Sequence, residues 1–222
     1  MVVDVDNLGQ LPTSAAWAAA FLEVIMISCI FGPPGCGKSS VLTLIAQEEL
    51  KRIRSGKSKY TAVYTNFDCQ DCLKIDFRDL GHYYYHDCLI ILDELTLSAD
   101  NRSWKSFPQE SKEFICLHRH FGVDLIYSVQ DWSRAEKTIR ENTVQLFYCN
   151  RFLWWSIVRP IYRTITINEY VGDLIMGYRF PRLNELIGSL KIYYIKKAWR
   201  YYDSFDKYGF DALPTPQNLK WH

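Results

Sequence analysis

The sequence predicts an α/β fold: a mainly parallel sheet flanked by helices, followed by an antiparallel β extension toward the C-terminus. Three observations carry this expectation. Apolar runs of strand length recur and alternate with helix-like segments. A glycine-rich turn joins the first run to a helix. Beyond Asn150 the pattern changes to an alternation of apolar and polar residues.

The elements follow in order. Residues 1–23 read as an N-terminal extension, with Met26 as an alternative functional start. The segment from Ala15 to Phe31 is apolar but is interrupted by Glu23 and Ser28, lacks a basic front, and falls short of the ~20 residues that cross a bilayer. It reads as a short Ala-rich helix entering a buried strand at Val24–Phe31. "KSSVLTLIAQEELKRIRSG" spaces Val41, Leu42, Leu44, Ile45 and Leu50 helically and ends in basic residues and Gly56, as a helix C-terminus does. "YTAVYTN", "CLIILDE", "VDLIYSVQ" and "VQLFYCN" are the later strands of a core spanning 24–150. "SKEFICLHRHFG" and "DWSRAEKTIREN" supply helices, so right-handed crossovers are expected. "SIVRPIYRTITIN" and "DLIMGYRF" form a partly exposed ribbon within 151–222, whose Tyr- and Lys-rich tail has no legible pattern.

Composition narrows the class. The chain has 222 residues, 48% of them hydrophobic, enough to bury a core. A net charge of +1 gives no global argument for a nucleic-acid partner, although a local patch is compatible with it. The seven cysteines are odd in number and scattered through apolar runs, which suits reduced thiols better than a disulfide framework.

Gly32-Pro33-Pro34-Gly35-Cys36-Gly37-Lys38-Ser39 fits G-x-x-x-x-G-K-[ST], after a strand and before a helix. Glycines let successive N–H groups form a nest around a phosphate, and the helix N-terminus favours the same anion. The segment from Gly32 through Ser40 is thus the expected cradle for ATP. Lys38 reaches the β- and γ-phosphates and Ser39 places its hydroxyl on Mg²⁺. "LIILDEL" puts Asp93 and Glu94 at the carboxyl end of a buried strand, where ligands sit in open α/β sheets. Asp93 suits the Mg²⁺ shell and Glu94 suits activation of a water. Gln130, at another strand tip, is either a γ-phosphate sensor or a helix-entry residue. Arg119 and Arg140 are candidates for an arginine finger donated across a subunit interface.

"MISCIFGPPGCGKSS", "LIILDE", "HRHFGVDLIYSVQD" with "IREN", and "YYD" at 201–203 together resemble the Zot-like (zonula occludens toxin-like) ATPases. That group includes the assembly ATPases of filamentous phages and falls in the wider FtsK/HerA group. The likeness runs from about Met26 to Asp203. It implies a RecA-like P-loop NTPase core, ATP and Mg²⁺ as cofactors, and a homo-oligomeric ring with a hexamer favoured. It further implies ATP-driven handling of single-stranded DNA in the host cytoplasm, near the inner membrane through phage assembly or membrane partners. By position, Lys38 and Ser39 match nucleotide and Mg²⁺ binding, Asp93 and Glu94 the acidic pair, and Gln130 the sensor. Arg119 lies in the family's Arg-His run. The phage proteins carry a membrane span after this domain, and this chain reaches His222 without one. Readings from other classes are a small-molecule kinase and a nucleotide-switched assembly scaffold.

Weaker signals remain. Cys69, Cys72, His82 and His86 approach zinc spacing, although incidental loop residues or a redox CxxC account for them as well. Residues 51–59 hold five basic residues beside Tyr60, which suits a polynucleotide backbone with base stacking or simply a helix end. Arg102, Trp104 and Lys105 could line a ring's pore.

Overall fold

The computed structural model describes residues 26–95, 108–167, 174–182, 185 and 189–201. Strand β1 (Ile27–Phe31) leads through the glycine-rich loop into helix α1 (Lys38–Arg54). Then come β2 (Ala62–Thr65), β3 (Leu73–Lys74), β4 (Cys88–Leu92), α2 (Gln109–Leu117), β5 (Asp124–Val129) and α3 (Lys137–Asn142). The chain continues through β6 (Thr143–Phe152), β7 (Trp155–Ile167), β8 (Leu174–Arg179) and β9 (Lys191–Tyr194). Short 3-10 turns occupy Phe77–Asp79, His118–Phe121, Trp132–Arg134 and Ile195–Arg200. The expectations for residues 1–25, for the loop bearing Arg102, Trp104 and Lys105, and for the tail beyond Tyr201 lie outside the described residues.

The strands form one sheet in the order β3-β2-β4-β5-β1-β6-β7-β8, with β9 pairing on β7. From β3 to β6 every neighbour is parallel. The pairings β6/β7, β7/β8 and β7/β9 are antiparallel. This is the expected mainly parallel sheet with its antiparallel extension. The ribbon is less detached than alternation alone suggests, because the first half of β7 is held between β6 and β9.

Alternation inside the central strands explains why both faces are covered. Cys88, Ile90 and Leu92 of β4 pack with Phe114 and Ile115 of α2 on one face. Leu89 and Ile91 pack with Val41, Leu42 and Ala46 of α1 on the other. All five β4 side chains are buried, as a parallel strand with helices on both sides requires. Truncating Ile91 to Ala would cost about 2–5 kcal/mol, the usual cost for a filled aliphatic site. Helix α1 ends as its sequence predicts: the Gly56 N–H donates to Ile53 O and the Lys57 N–H to Arg52 O, with Gly56 at φ 66°. Among the described residues no helix is long and apolar enough to cross a membrane.

Three of the five basic residues in the run at 51–59 face acids. Arg52 faces Glu49 at 3.6 Å, Arg54 faces Asp71 at 2.8 Å and Lys59 faces Asp124 at 2.9 Å. Tyr60 corrects the stacking expectation. It is buried, and its hydroxyl donates to the Asp124 carboxylate, which also accepts the Met26 N–H at 2.5 Å. Burial and the Asp124 charge push the Tyr60 phenol well above its ordinary value. A ring spent on this internal anchor has no face left for a base.

Candidate functional site

Three parallel strands deliver the candidate residues to one edge of the sheet. Phe31 of β1 is level with Val129 of β5, and Leu92 of β4 is level with Tyr127 of β5. The glycine-rich loop, Gln130 and the Asp93-Glu94 pair therefore emerge from the same carboxyl edge. The strand bearing Gln130 stands between the other two, so loop and acids leave the sheet two strand spacings apart, about 10 Å.

The loop wraps the start of α1. Gly37 caps that helix at φ 91°, a conformation side-chain-bearing residues adopt at a cost, and a methyl group there would overlap Ser156 Oγ. A methyl group at Gly32 would strike the Cys149 carbonyl. No side chain caps the helix and no acid occupies its first turn. Its first N–H groups thus keep their positive end for an anion. Lys38 is buried and curls over the loop, its Nζ donating to Gly32 O at 2.9 Å and Pro33 O at 3.2 Å. Ser39 and Ser40 follow on the first turn of α1, with Pro33, Pro34 and Gly35 exposed at the loop's crest.

The β6–β7 hairpin braces this loop from behind. Ser156 Oγ donates to Cys36 O at 2.8 Å. Arg151 Nη1 donates to Gly35 O at 3.2 Å. The Cys149 thiol bonds to Cys36, and this bond together with the Lys38 charge lowers the Cys36 thiol to about 7, while Cys149 is driven upward. Sequence reading missed these braces. Nothing in the local pattern of "VQLFYCN" or "SIVRPIY" states that β6 would lie against β1.

At the acids, the polar groups interlock. Asn66 pairs both ways with the Asp93 main chain: its Oδ1 accepts the Asp93 N–H at 2.7 Å and its Nδ2 donates to Asp93 O at 2.9 Å. Ser128 Oγ donates to Asp93 Oδ1 at 2.5 Å and accepts the Glu94 N–H at 2.9 Å. Asp93 is 4% exposed, and its Oδ2 is buried without a hydrogen-bond partner. A buried carboxylate oxygen of that kind is costly unless it meets a cation, which suits a hard divalent ion such as Mg²⁺. Glu94 sits at φ 45°, a strained conformation for a non-glycine residue and one that gathers at functional sites. Gln130 Nε2 donates to Glu94 Oε1 at 3.3 Å, so the structure brings the candidate sensor and the candidate base together. Asn66 and Ser128 were not picked from the sequence. Each is a single polar residue at a strand end or within a strand, without spacing to mark it.

Arg119 and Arg140 stand elsewhere. Arg119 lies in the turn just before β5, where the Val123 N–H donates to His118 O. Arg140 lies in α3 just before Thr143, which pairs with Ile27 at the start of β1. Both are at the sheet's amino edge, a full strand length from this chain's own glycine-rich loop. Cys69, Cys72, His82 and His86 do not converge: among the described residues no group of three or more His, Cys, Asp or Glu side chains could hold a metal ion. Cys69 and Cys72 do interact, and the Cys72 hydrogen bond lowers the Cys69 thiol to about 7.

Comparison with known proteins gives the following. Residues 65–153, from the end of β2 to the tip of the β6–β7 hairpin, match the family model described as zonular occludens toxin (Zot). No curated protein matches the chain. Among solved structures, the N-terminal domain of zonular occludens toxin from Neisseria meningitidis is similar at 15% identity, covering 74% of this chain and 98% of that one, with a TM-score of 0.49. The flagellar accessory protein FlaH from Methanocaldococcus jannaschii is similar at 13% identity, covering 68% and 89%, with a TM-score of 0.44. B204, the DNA-packaging ATPase from Sulfolobus Turreted Icosahedral Virus, is similar at 12% identity, covering 71% and 98%, with a TM-score of 0.41.

Proposed function

Because the chain is Zot-like over residues 65–153, downstream of its phosphate loop, we propose that it is a Mg²⁺-dependent ATPase whose turnover moves or packages DNA during virion assembly or extrusion. The observation that carries the reading is Asp93 Oδ2, buried without a partner at the sheet edge that also bears the phosphate loop. Such an oxygen has a use where a metal-bound triphosphate sits in the Gly32–Ser39 nest.

In this mechanism Lys38 Nζ exchanges its bonds to the Gly32 and Pro33 carbonyls for phosphate oxygens. The N-terminal amides of α1 hold the β-phosphate. Asp93 Oδ2 and Ser39 Oγ would hold Mg²⁺, which would supply positive charge against the triphosphate. Glu94 accepts the proton of a water as that water's oxygen forms its bond to the γ-phosphorus. The bond from phosphorus to the bridging oxygen breaks, and its electron pair leaves with ADP. Gln130, bonded to Glu94 Oε1, keeps that carboxylate turned toward the water. Arg119, exposed at the far edge, would act only on the loop of a neighbouring subunit in a ring, where it would offset transition-state charge.

ATP turnover measured with and without single-stranded DNA tests the reading. A DNA motor is stimulated by the polymer, and a ring should be visible by negative-stain microscopy with a non-hydrolysable analogue. Turnover indifferent to DNA, by a monomer, would contradict the motor assignment while leaving the ATPase assignment in place.

A further inference from the structure

The positive charge of this nearly neutral chain is unevenly placed. Segments 143–167 and 189–201 contain three and four basic residues and no Asp or Glu. The two segments meet where β9 pairs with the start of β7: Trp155 lies opposite Tyr194, and the Ile195 N–H donates to Trp154 O at 3.0 Å. Their shared surface is aromatic as well as basic. Trp154, Trp155 and Trp199 are 42%, 44% and 52% exposed, far more than large aromatics that serve as core.

These rings are arranged rather than scattered. Trp154 and Trp199 meet edge to face at 6.0 Å, and Trp155 tilts on Tyr194 at 4.9 Å. Lys196 Nζ lies 3.9 Å from the Trp154 ring centroid, and the Arg151 guanidinium lies 5.8 Å from it. Lys197 and Arg200 are exposed on the same short turn. The Trp154-Trp199 pair joins the hairpin turn to the 3-10 turn after β9, and the Trp155-Tyr194 pair bridges strands β7 and β9. Two separated ring pairs exceed what one nucleobase can cover. The hairpin tip reinforces the impression of a built surface. Tight hairpins favour Asn-Gly, yet here Leu153 takes φ 52° and, with Phe152, stands exposed.

We propose that the β6–β7 tip and the 3-10 turn after β9 form a stacking platform for a single-stranded polynucleotide. Bases stack on the exposed Trp154, Trp155 and Trp199 faces, while Lys196, Lys197 and Arg200 neutralise phosphates between them. Unpaired bases are required, because a duplex keeps its base faces to itself. Arg151 joins this platform to the phosphate loop: its Nε donates to Leu153 O at 2.8 Å and its Nη1 to Gly35 O at 3.2 Å. A strand lying on the tip thereby acts on the loop that holds the triphosphate. This coupling rests on the ATPase reading, whereas polynucleotide binding itself does not.

The experiment is fluorescence anisotropy of a labelled oligothymidylate of about 16 nucleotides with the full chain, without nucleotide. Trp154→Ala and Trp199→Ala should each weaken binding by about tenfold or more, and Trp154→Tyr should restore most of it. Lys196→Ala should flatten the salt dependence by about 0.7 in slope, the share of one phosphate on a single strand. A duplex of the same length should bind more weakly than the single strand. Unchanged affinity in the Trp154→Ala/Trp199→Ala double variant overturns the proposal, as does tighter binding of the duplex. Loss of self-association at unchanged oligonucleotide affinity also overturns it, and assigns the surface to a neighbouring subunit. Trp199→Ala should leave basal ATP turnover as it is, so a failure here is distinct from a failure of the ATPase reading.

Discussion

Ser128 Oγ donates to Asp93 Oδ1 at 2.5 Å, and this fixes the carboxylate so that its other oxygen, Oδ2, is buried with no hydrogen-bond partner. The bond joins β5 to the residue that follows the adjacent strand β4, so the sheet itself sets the orientation of the proposed metal ligand. A residue that orients a ligand in this way changes metal affinity without touching the metal. Ser128→Ala should raise the Mg²⁺ concentration for half-maximal ATP turnover by about 10–100-fold. Metal-free nucleotide binding should change little. A Mg²⁺ titration of turnover checks this, and an unchanged midpoint would remove Ser128 from the account.

Gly37 makes a separate prediction. Its φ of 91° and the position of Ser156 Oγ leave no room for a methyl group. Gly37→Ala should lower unfolding free energy by about 1–2 kcal/mol through the left-handed backbone alone, and should weaken ATP binding more than stability. Adding Ser156→Gly removes the overlap but not the backbone cost, so it should restore binding only in part. Chemical denaturation and ATP titration of the three proteins separate the two contributions.

The Cys69-Cys72 turn gives a pH-dependent readout. The Cys72 hydrogen bond holds the half-buried Cys69 thiol down at about 7. Reactivity follows the thiolate, so Cys69 should alkylate with an apparent pKa near 7, its rate rising as pH increases through that value. Cys72→Ala removes the bond and should move the rise to higher pH. Mass-spectrometric mapping of iodoacetamide labelling across pH checks both the site and the midpoint. A Cys69 midpoint that Cys72→Ala leaves unmoved would contradict this cause.

The glycine-rich loop, α1 and the strand ends carrying Asp93, Glu94 and Gln130 were legible because each is a local pattern: a spacing, an apolar run, a polar stop. Asn66, Ser128, Arg151 and Ser156 were not, because their roles arise from strand neighbours far apart in sequence. Ser156 reaches Cys36 only once β6 lies on β1 and β7 folds back on β6. Tyr60 misled for the converse reason. Its basic neighbours marked it as surface, yet Lys59 points to Asp124 and the phenol follows it inward. Strand β9 escaped notice because its residues alternate between half-buried and exposed, with no apolar face to register.

Glu94→Gln is the most direct test of the central claim that the acids beside the phosphate loop hydrolyse a bound triphosphate. The measurement is ATP affinity by calorimetry, paired with turnover on the same protein in the presence of Mg²⁺. The account predicts near-wild-type affinity with turnover reduced by about 10²–10⁴-fold, the usual contribution of a general base. Turnover equal to wild type, or no ATP binding by the wild-type chain with Mg²⁺ present, would contradict it.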